Sequence, residues 1–148
     1  MMLPTRENVV LLARSYLGTR YHHRGRTPQL ALDCGGVPIC IMRTLGLVPE
    51  TFDVAPYTML PDGKSLLSIC DALADRIENF IDAAAGDVIV ISADQHPQHV
   101  GILANHVYGG FSFIHASNDR GVHRVIETRL RFDRSNRFIC AYELRGIN

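Results

Sequence analysis

The sequence predicts an α+β fold, with helices first and an antiparallel sheet after them. Three observations predict it. Apolar residues in the first half recur at helical spacing between capping signals. From residue 86 the pattern changes to apolar runs and period-two alternation, broken by short turns. The two patterns are segregated along the chain rather than interleaved, which argues against βαβ units. No repeat, low-complexity tract or long linker divides the 148 residues, so residues 1–148 are expected to form a single domain with room for a real core.

The elements follow in order. "TRENVVLLARSYLG" (residues 5–18) has Thr5 as an N-cap, Glu7 in the first turn and Gly18 past the end. "CGGVPICIMRTLG" (34–46) predicts a second helix closed by Gly46, with Pro49 beyond. "KSLLSICDALADRI" (64–77) places Leu66, Ile69, Cys70 and Leu73 on one stripe, which makes Cys70 a core residue. Gly86-Asp87 then signals a turn into "VIVIS", a continuous apolar run expected of a central strand. "HVGILA", "FSFIHAS", "GVHRVIE" and "RFICAYEL" complete a meander of about five strands. In the last, Phe138, Cys140, Tyr142 and Leu144 are expected on one face.

Bulk properties exclude several classes. Lysine plus arginine (15) balances aspartate plus glutamate (15), so no global field recruits nucleic acid. Lys64 is the only lysine. No stretch is long and apolar enough to span a membrane, and the N-terminus has no signal-peptide pattern. The expectation is synthesis in the cytoplasm, with delivery by another agent if the substrate lies outside. The four cysteines are scattered and form no C-x-x-C, which argues for free thiols and against a zinc knuckle.

One cysteine stands apart. In "ALDCGGVPIC" (31–40), Cys34 lies where a loop turns into a helix, behind Asp33 and ahead of Gly35 and Gly36. Helix N-termini offer free N–H groups and partial positive charge, which favour a thiolate and an oxyanion. Asp33 suits an N-cap, and the glycines would let a substrate backbone approach. A thiol nucleophile also needs a base and a group that orients it. His99 opens "HVGIL", sharing a face with Gly101 and Leu103; His115 shares a face with Phe113 on the next strand. Paired as a hairpin, the two histidines become neighbours. Asn118 and Asp119 are alternative orienters. Cys40, Cys70 and Cys140 are expected in the core, and His22, His23, His106 and His123 in loops or at edges. His23, Arg24 and Arg26 could line a rim that meets substrate carboxylates. "HPQH" (96–99) has a metal-like spacing on a helix, but Pro97 argues against a helix there. No cofactor and no metal is expected.

At this point the chain resembles the NlpC-type cell-wall cysteine peptidases, papain-like hydrolases of bacteria and phages. The resemblance rests on "LGTRYHHRGR", "DCGG", "GDVIVI", "HVGIL" and "FIHAS", in that order, and covers about residues 9 to 144. It implies Cys34 as nucleophile, His99 as general base, His115 as the residue orienting it, and Tyr21 as a site-lining hydroxyl that helps polarise the scissile carbonyl. Asp33 belongs to the substrate-binding set. It further implies an endopeptidase cutting peptidoglycan stem peptides between D-γ-glutamyl and a diamino acid. The small one-domain form is most like the phage-encoded members, so a phage tail or another targeting protein is an expected partner and the virion an expected location. Two departures stand out: Gly35 replaces the serine common after the nucleophile, and Pro38 would fall beyond the first turn if Asp33 were the N-cap. Three alternatives stay open: a phage tail or assembly protein with this fold and little activity, an amidase or acyltransferase, and a zinc-binding protein.

Overall fold

The computed structural model describes residues 2–53, 71, 73–93 and 96–148, without the side chains of residues 93–98. Helix α1 spans Arg6–Ser15, and the Thr5 side chain accepts a hydrogen bond from the Asn8 N–H as expected of its cap. Val9, Val10 and Ala13 are its buried face. Two short strands, β1 (Arg26–Thr27) and β2 (Ala31–Leu32), form a small antiparallel ladder that the sequence pattern did not signal. Helix α2 spans Gly36–Thr44 and is buried from Gly36 through Met42. Gly46 follows it at φ +70°, a left-handed turn that suits glycine.

The stripe built on Leu66, Ile69 and Cys70 lies outside the described residues. Asp71 and Leu73 are helical, but the tail of that segment is not. Ala74–Ile77 form strand β3, paired antiparallel with Leu144 back to Ala141. After a 3-10 turn at Phe80–Asp82 come β4 (Val88–Ala93), β5 (His96–Asn105), β6 (Phe111–Ser117), β7 (Arg124–Arg129) and β8 (Arg137–Leu144).

The main sheet has six strands in the order β3-β8-β4-β5-β6-β7. The expected meander is present from β4 to β7, but β8 returns to pair with β4 on the other side. Strand β3 is the addition to the five read from sequence. Strand β4 is interior as its apolar run predicted. Val88 and Val90 join the core facing the helices, while Ile89 and Ile91 join a second core on the opposite face. Each such buried side chain contributes about 1.5–3 kcal/mol. That second core is covered by an aromatic group in which Phe80 meets Phe111, Phe132 and Phe138 edge-on at 5.6, 4.9 and 5.4 Å.

One face assignment is overturned. Cys140, Tyr142 and Leu144 do share the helix-side core, but Phe138 packs in the second core. The cause is a β-bulge: Val90 pairs with Cys140 and Ile91 with Phe138, so Ile139 is the extra residue and everything before it changes face.

The Gly86-Asp87 turn does more than open a strand. Asp87 is fully buried, accepts from Arg6 Nη1 at 2.6 Å and from the Ala84 N–H at 2.8 Å, and so ties α1 to β4.

Candidate active site

The turn before α2 is held by Asp33. Its carboxylate is fully buried and accepts from the Gly36 N–H at 2.8 Å, from Arg26 Nη1 at 2.8 Å and from the Arg24 N–H at 2.7 Å. Asp33 therefore braces the start of the helix from three residues upstream, with its carboxylate turned inward. Its observed role is to brace the turn, as the N-cap reading expected. Because the first helical residue is Gly36, Pro38 falls in the first turn, where no intrahelical N–H bond is required.

Gly36 has a purpose other than admitting substrate. A Cβ there would lie 2.4 Å from the Gly25 carbonyl oxygen, so the missing side chain makes room for the chain's own backbone.

Cys34 sits two residues before the helix, in the helix-side core and only 2% exposed. Burial, and then the Asp33 charge, push its thiol up to about 12, against the opposing pull of the Gly35 and Cys34 N–H groups and the Arg26 guanidinium. Desolvation here opposes the lowering that a helix terminus would bring. Tyr21 packs against the same core and is half-buried. Its phenol is raised by burial first and then by the neighbouring Cys34 and Asp33, so it remains a proton donor at neutral pH.

The histidines meet. His99 Nε2 lies 2.7 Å from His115 Nδ1, with the rings edge-on and centroids 4.8 Å apart. His99 is 7% exposed. The β5–β6 ladder runs from Ile102↔Ile114 to Asn105↔Phe111, and continuing it places Gly101, not His99, opposite His115. The pair is diagonal. Gly101 permits it, since a Cβ there would meet the Phe113 ring at 2.3 Å. That ring stacks on His115 at 4.3 Å and 19° and holds the imidazole in place. Sequence reasoning noted that Phe113 and His115 share a face but missed this stacking role.

The histidines and the segment that precedes Cys34 meet at one end of the sheet. Strand β5 begins there with His96–His99, β6 ends there at Ser117 and β7 begins there at Arg124. The segment before Cys34 is stitched to the same end: Val125 N–H donates to Thr19 O, Tyr21 N–H to His123 O and Leu32 N–H to Arg20 O. His99 and His115 open onto a cleft of about 210 Å³ that also meets Asn118 and Asp119. Of the possible orienters, His115 is the one whose ring nitrogen reaches His99.

Cys40 and Cys140 are buried, and the Cys40 thiol donates to the Arg26 carbonyl. The proposed arginine rim is altered: Arg26 pairs with Asp33 and Asp53 at 2.8 and 3.1 Å and is structural. Among the described residues no group of three histidine, cysteine or acidic side chains is placed to hold a metal ion, and no helix is long and apolar enough to cross a membrane.

These features define a class by fold: two helices and a large antiparallel sheet in an α+β arrangement that matches the papain-like fold of NlpC/p60 domains. The particular likeness is to the crystal structure of the NlpC/p60 domain of the peptidoglycan hydrolase SagA, with a TM-score of 0.60 and 21% identity, covering 95% of this chain and 99% of that one. Neither a protein-family profile nor a curated protein matches the sequence.

Proposed function

We propose that the protein is a cysteine peptidase that hydrolyses stem peptides of peptidoglycan, cutting between D-γ-glutamyl and a diamino acid. The observation that carries this reading is the His99–His115 hydrogen bond; the Tyr21 N–H, donating to His123 O, supports it by tying the segment before Cys34 to the same end of the sheet. The shared fold with a peptidoglycan hydrolase domain supports the substrate class.

With Nε2 of His99 engaged by His115, Nδ1 is the nitrogen that takes the thiol proton. The Cys34 sulfur then attacks the amide carbon. Because burial favours the neutral thiol, proton transfer accompanies attack instead of preceding it. The Cys34 N–H and the Tyr21 hydroxyl donate to the developing oxyanion. His99 returns its proton to the departing amine, the C–N bond breaks, and a thioester remains. Water, deprotonated by His99, hydrolyses it and restores the thiol.

Incubation with a synthetic stem peptide and mass spectrometry of the products tests the reading. Cleavage at the γ-glutamyl bond by the wild type and not by Cys34→Ala is expected; an intact peptide, or a cut elsewhere, contradicts it.

A second reading has a specific observation behind it. A thiol 2% exposed and pushed up to about 12 suits a domain of this fold with little turnover, such as a phage tail or assembly component. The same assay separates the two readings.

A further inference from the structure

The sheet row that holds His99 ends in a pair of arginines. Residues 18–21 run along β7. The Tyr21 N–H donates to His123 O and the Val125 N–H to Thr19 O, both at 2.8 Å, and these bonds bracket an antiparallel Arg20↔Arg124 pair. A pair bracketed in this way is the narrow kind, with Cα atoms about 4.5 Å apart and both side chains on one face. The register fixes that face. Tyr21 and Val125 pack on the helix-side core, so Arg20 and Arg124 project from the opposite side. Arg124 is paired with Ser117, and continuing the β5–β6 ladder past Gly101 and His115 sets Ser117 opposite His99. His99, Ser117, Arg124 and Arg20 therefore form one row across the sheet, on one face. Both arginines are exposed and line an open groove of about 520 Å³ with Gly18 and Val122, and no acidic side chain is in the lining. Arg124 gives one N–H to the Val122 carbonyl at 3.1 Å, which steadies it and leaves four donors. The Arg20 backbone is held from its other side by the Leu32 N–H, which donates to its carbonyl at 3.0 Å. Other arginines belong to the framework: Arg6 to Asp87 and Glu143, Arg14 to Glu127, Arg26 and Arg43 to Asp53. Among the described residues Arg20 and Arg124 have no carboxylate partner. Like charges set directly opposite each other destabilise a sheet, so this pair is at its best with an anion from outside.

We infer that Arg20 and Arg124 form a subsite for a carboxylate of the substrate, in the same sheet row as the base His99. This rests on the peptidase reading above and adds to it which residues select the substrate. Guanidinium groups favour planar, bidentate carboxylates, and two of them side by side hold one carboxylate between them. Neighbouring strands lie about 4.8 Å apart, so Arg124 is about 10 Å from His99 and Arg20 about 14 Å, strand to strand. An extended peptide advances about 3.3–3.6 Å per residue. A carboxylate held by the pair therefore belongs about three to four residues from the amide bond at His99. The subsite selects an anionic arm of that length, and filling it relieves the repulsion between the two arginines.

Two stem peptides identical but for a free or amidated carboxylate at that distance test the inference. The variants are Arg20→Gln, Arg124→Gln and the double substitution. Arg129→Gln is the charge control: it lies on the same strand but bonds to the Gly109 carbonyl at the far end of the sheet. Binding is measured by calorimetry in a Cys34→Ala background, and turnover in the active protein. The double variant should weaken binding of the carboxylate peptide by about 10- to 100-fold, the worth of a charge-assisted hydrogen bond. It should raise KM with kcat within about twofold and leave the amide peptide unaffected, and Arg129→Gln should behave like wild type. Its urea midpoint should match or exceed that of wild type, because a like-charge contact has been removed. Equal binding of both peptides by the parent protein, no binding of either, or an unchanged preference in the double variant overturns the subsite. The two proposals can fail separately. Cleavage without carboxylate preference removes the subsite and leaves the peptidase. An arginine-dependent preference without cleavage leaves the subsite and removes the peptidase.

Discussion

His99 Nε2 and His115 Nδ1 are 2.7 Å apart although the strands do not set the two residues opposite each other. The diagonal contact fixes which nitrogen of His99 faces away, and with it which nitrogen can act as base. Removing the base should cost more than removing its support. His99→Ala is expected to lower kcat on a stem peptide by about 10²–10⁴-fold. His115→Ala should lose less, with His115→Asn recovering part by restoring a partner for Nε2. Steady-state kinetics with the three variants checks the ranking, and an unimpaired His115→Ala would remove His115 from the machinery.

Gly101→Ala should damage the dyad without touching a histidine. The new methyl would meet the Phe113 ring at 2.3 Å and the Ile114 carbonyl oxygen at 2.6 Å. Overpacking of this kind costs about 1–3 kcal/mol. Denaturant unfolding should show that loss, and kcat should fall with it because Phe113 supports His115. Stability and activity both at wild-type level would contradict the diagonal geometry.

Asp33→Ala should be among the most destabilising single changes near the site. It leaves Arg26, whose side chain is 11% exposed, with Asp53 but without its buried carboxylate, and strips the cap from Gly36. Breaking one side of a buried pair costs about 3–5 kcal/mol. Asp33→Asn keeps the shape and should cost less. If urea midpoints for both variants match wild type, Asp33 is not the brace described.

The buried thiol has a pH signature. Cys34 is raised from its ordinary value near 9 to about 12, so the folded state favours the neutral form. The unfolded chain releases its proton first as pH climbs, so the stabilisation is full below about 9 and is lost progressively toward 12. The stability difference between wild type and Cys34→Ala should therefore shift against the wild type over that window. Burial of Tyr21 is common to both proteins, while the part of its rise that comes from Cys34 belongs to the same difference. A difference independent of pH would show a solvated thiol.

Much of this was legible in the sequence because it rests on local chemistry. The Thr5 cap, the Gly46 stop, the apolar run of β4 and the period-two faces of β5 and β6 are written in neighbouring residues. What escaped depends on pairing between distant segments. The Ile139 bulge that moves Phe138 to the other face follows from register against β4, which no periodicity in "RFICAYEL" reveals. The return of β8 beside β4 is likewise a long-range choice. Around the site, the D-C-G-G spacing pointed to Cys34 and to Asp33 as a cap, but not to the contacts its neighbours make with residues 24–26. Asp33 and Gly36 serve the packing of residues 24–26, and the thiol's burial opposes what its position near a helix terminus would bring.

The most direct measurement is intact-protein mass spectrometry on a rapidly quenched reaction with a stem peptide. The account predicts a transient adduct with the mass of the acyl fragment, mapped to Cys34, accompanied by release of the amine fragment and absent from Cys34→Ala. Cleavage that persists in Cys34→Ala, or an adduct mapped to another residue, would contradict the central claim that Cys34 is the nucleophile served by His99 and His115.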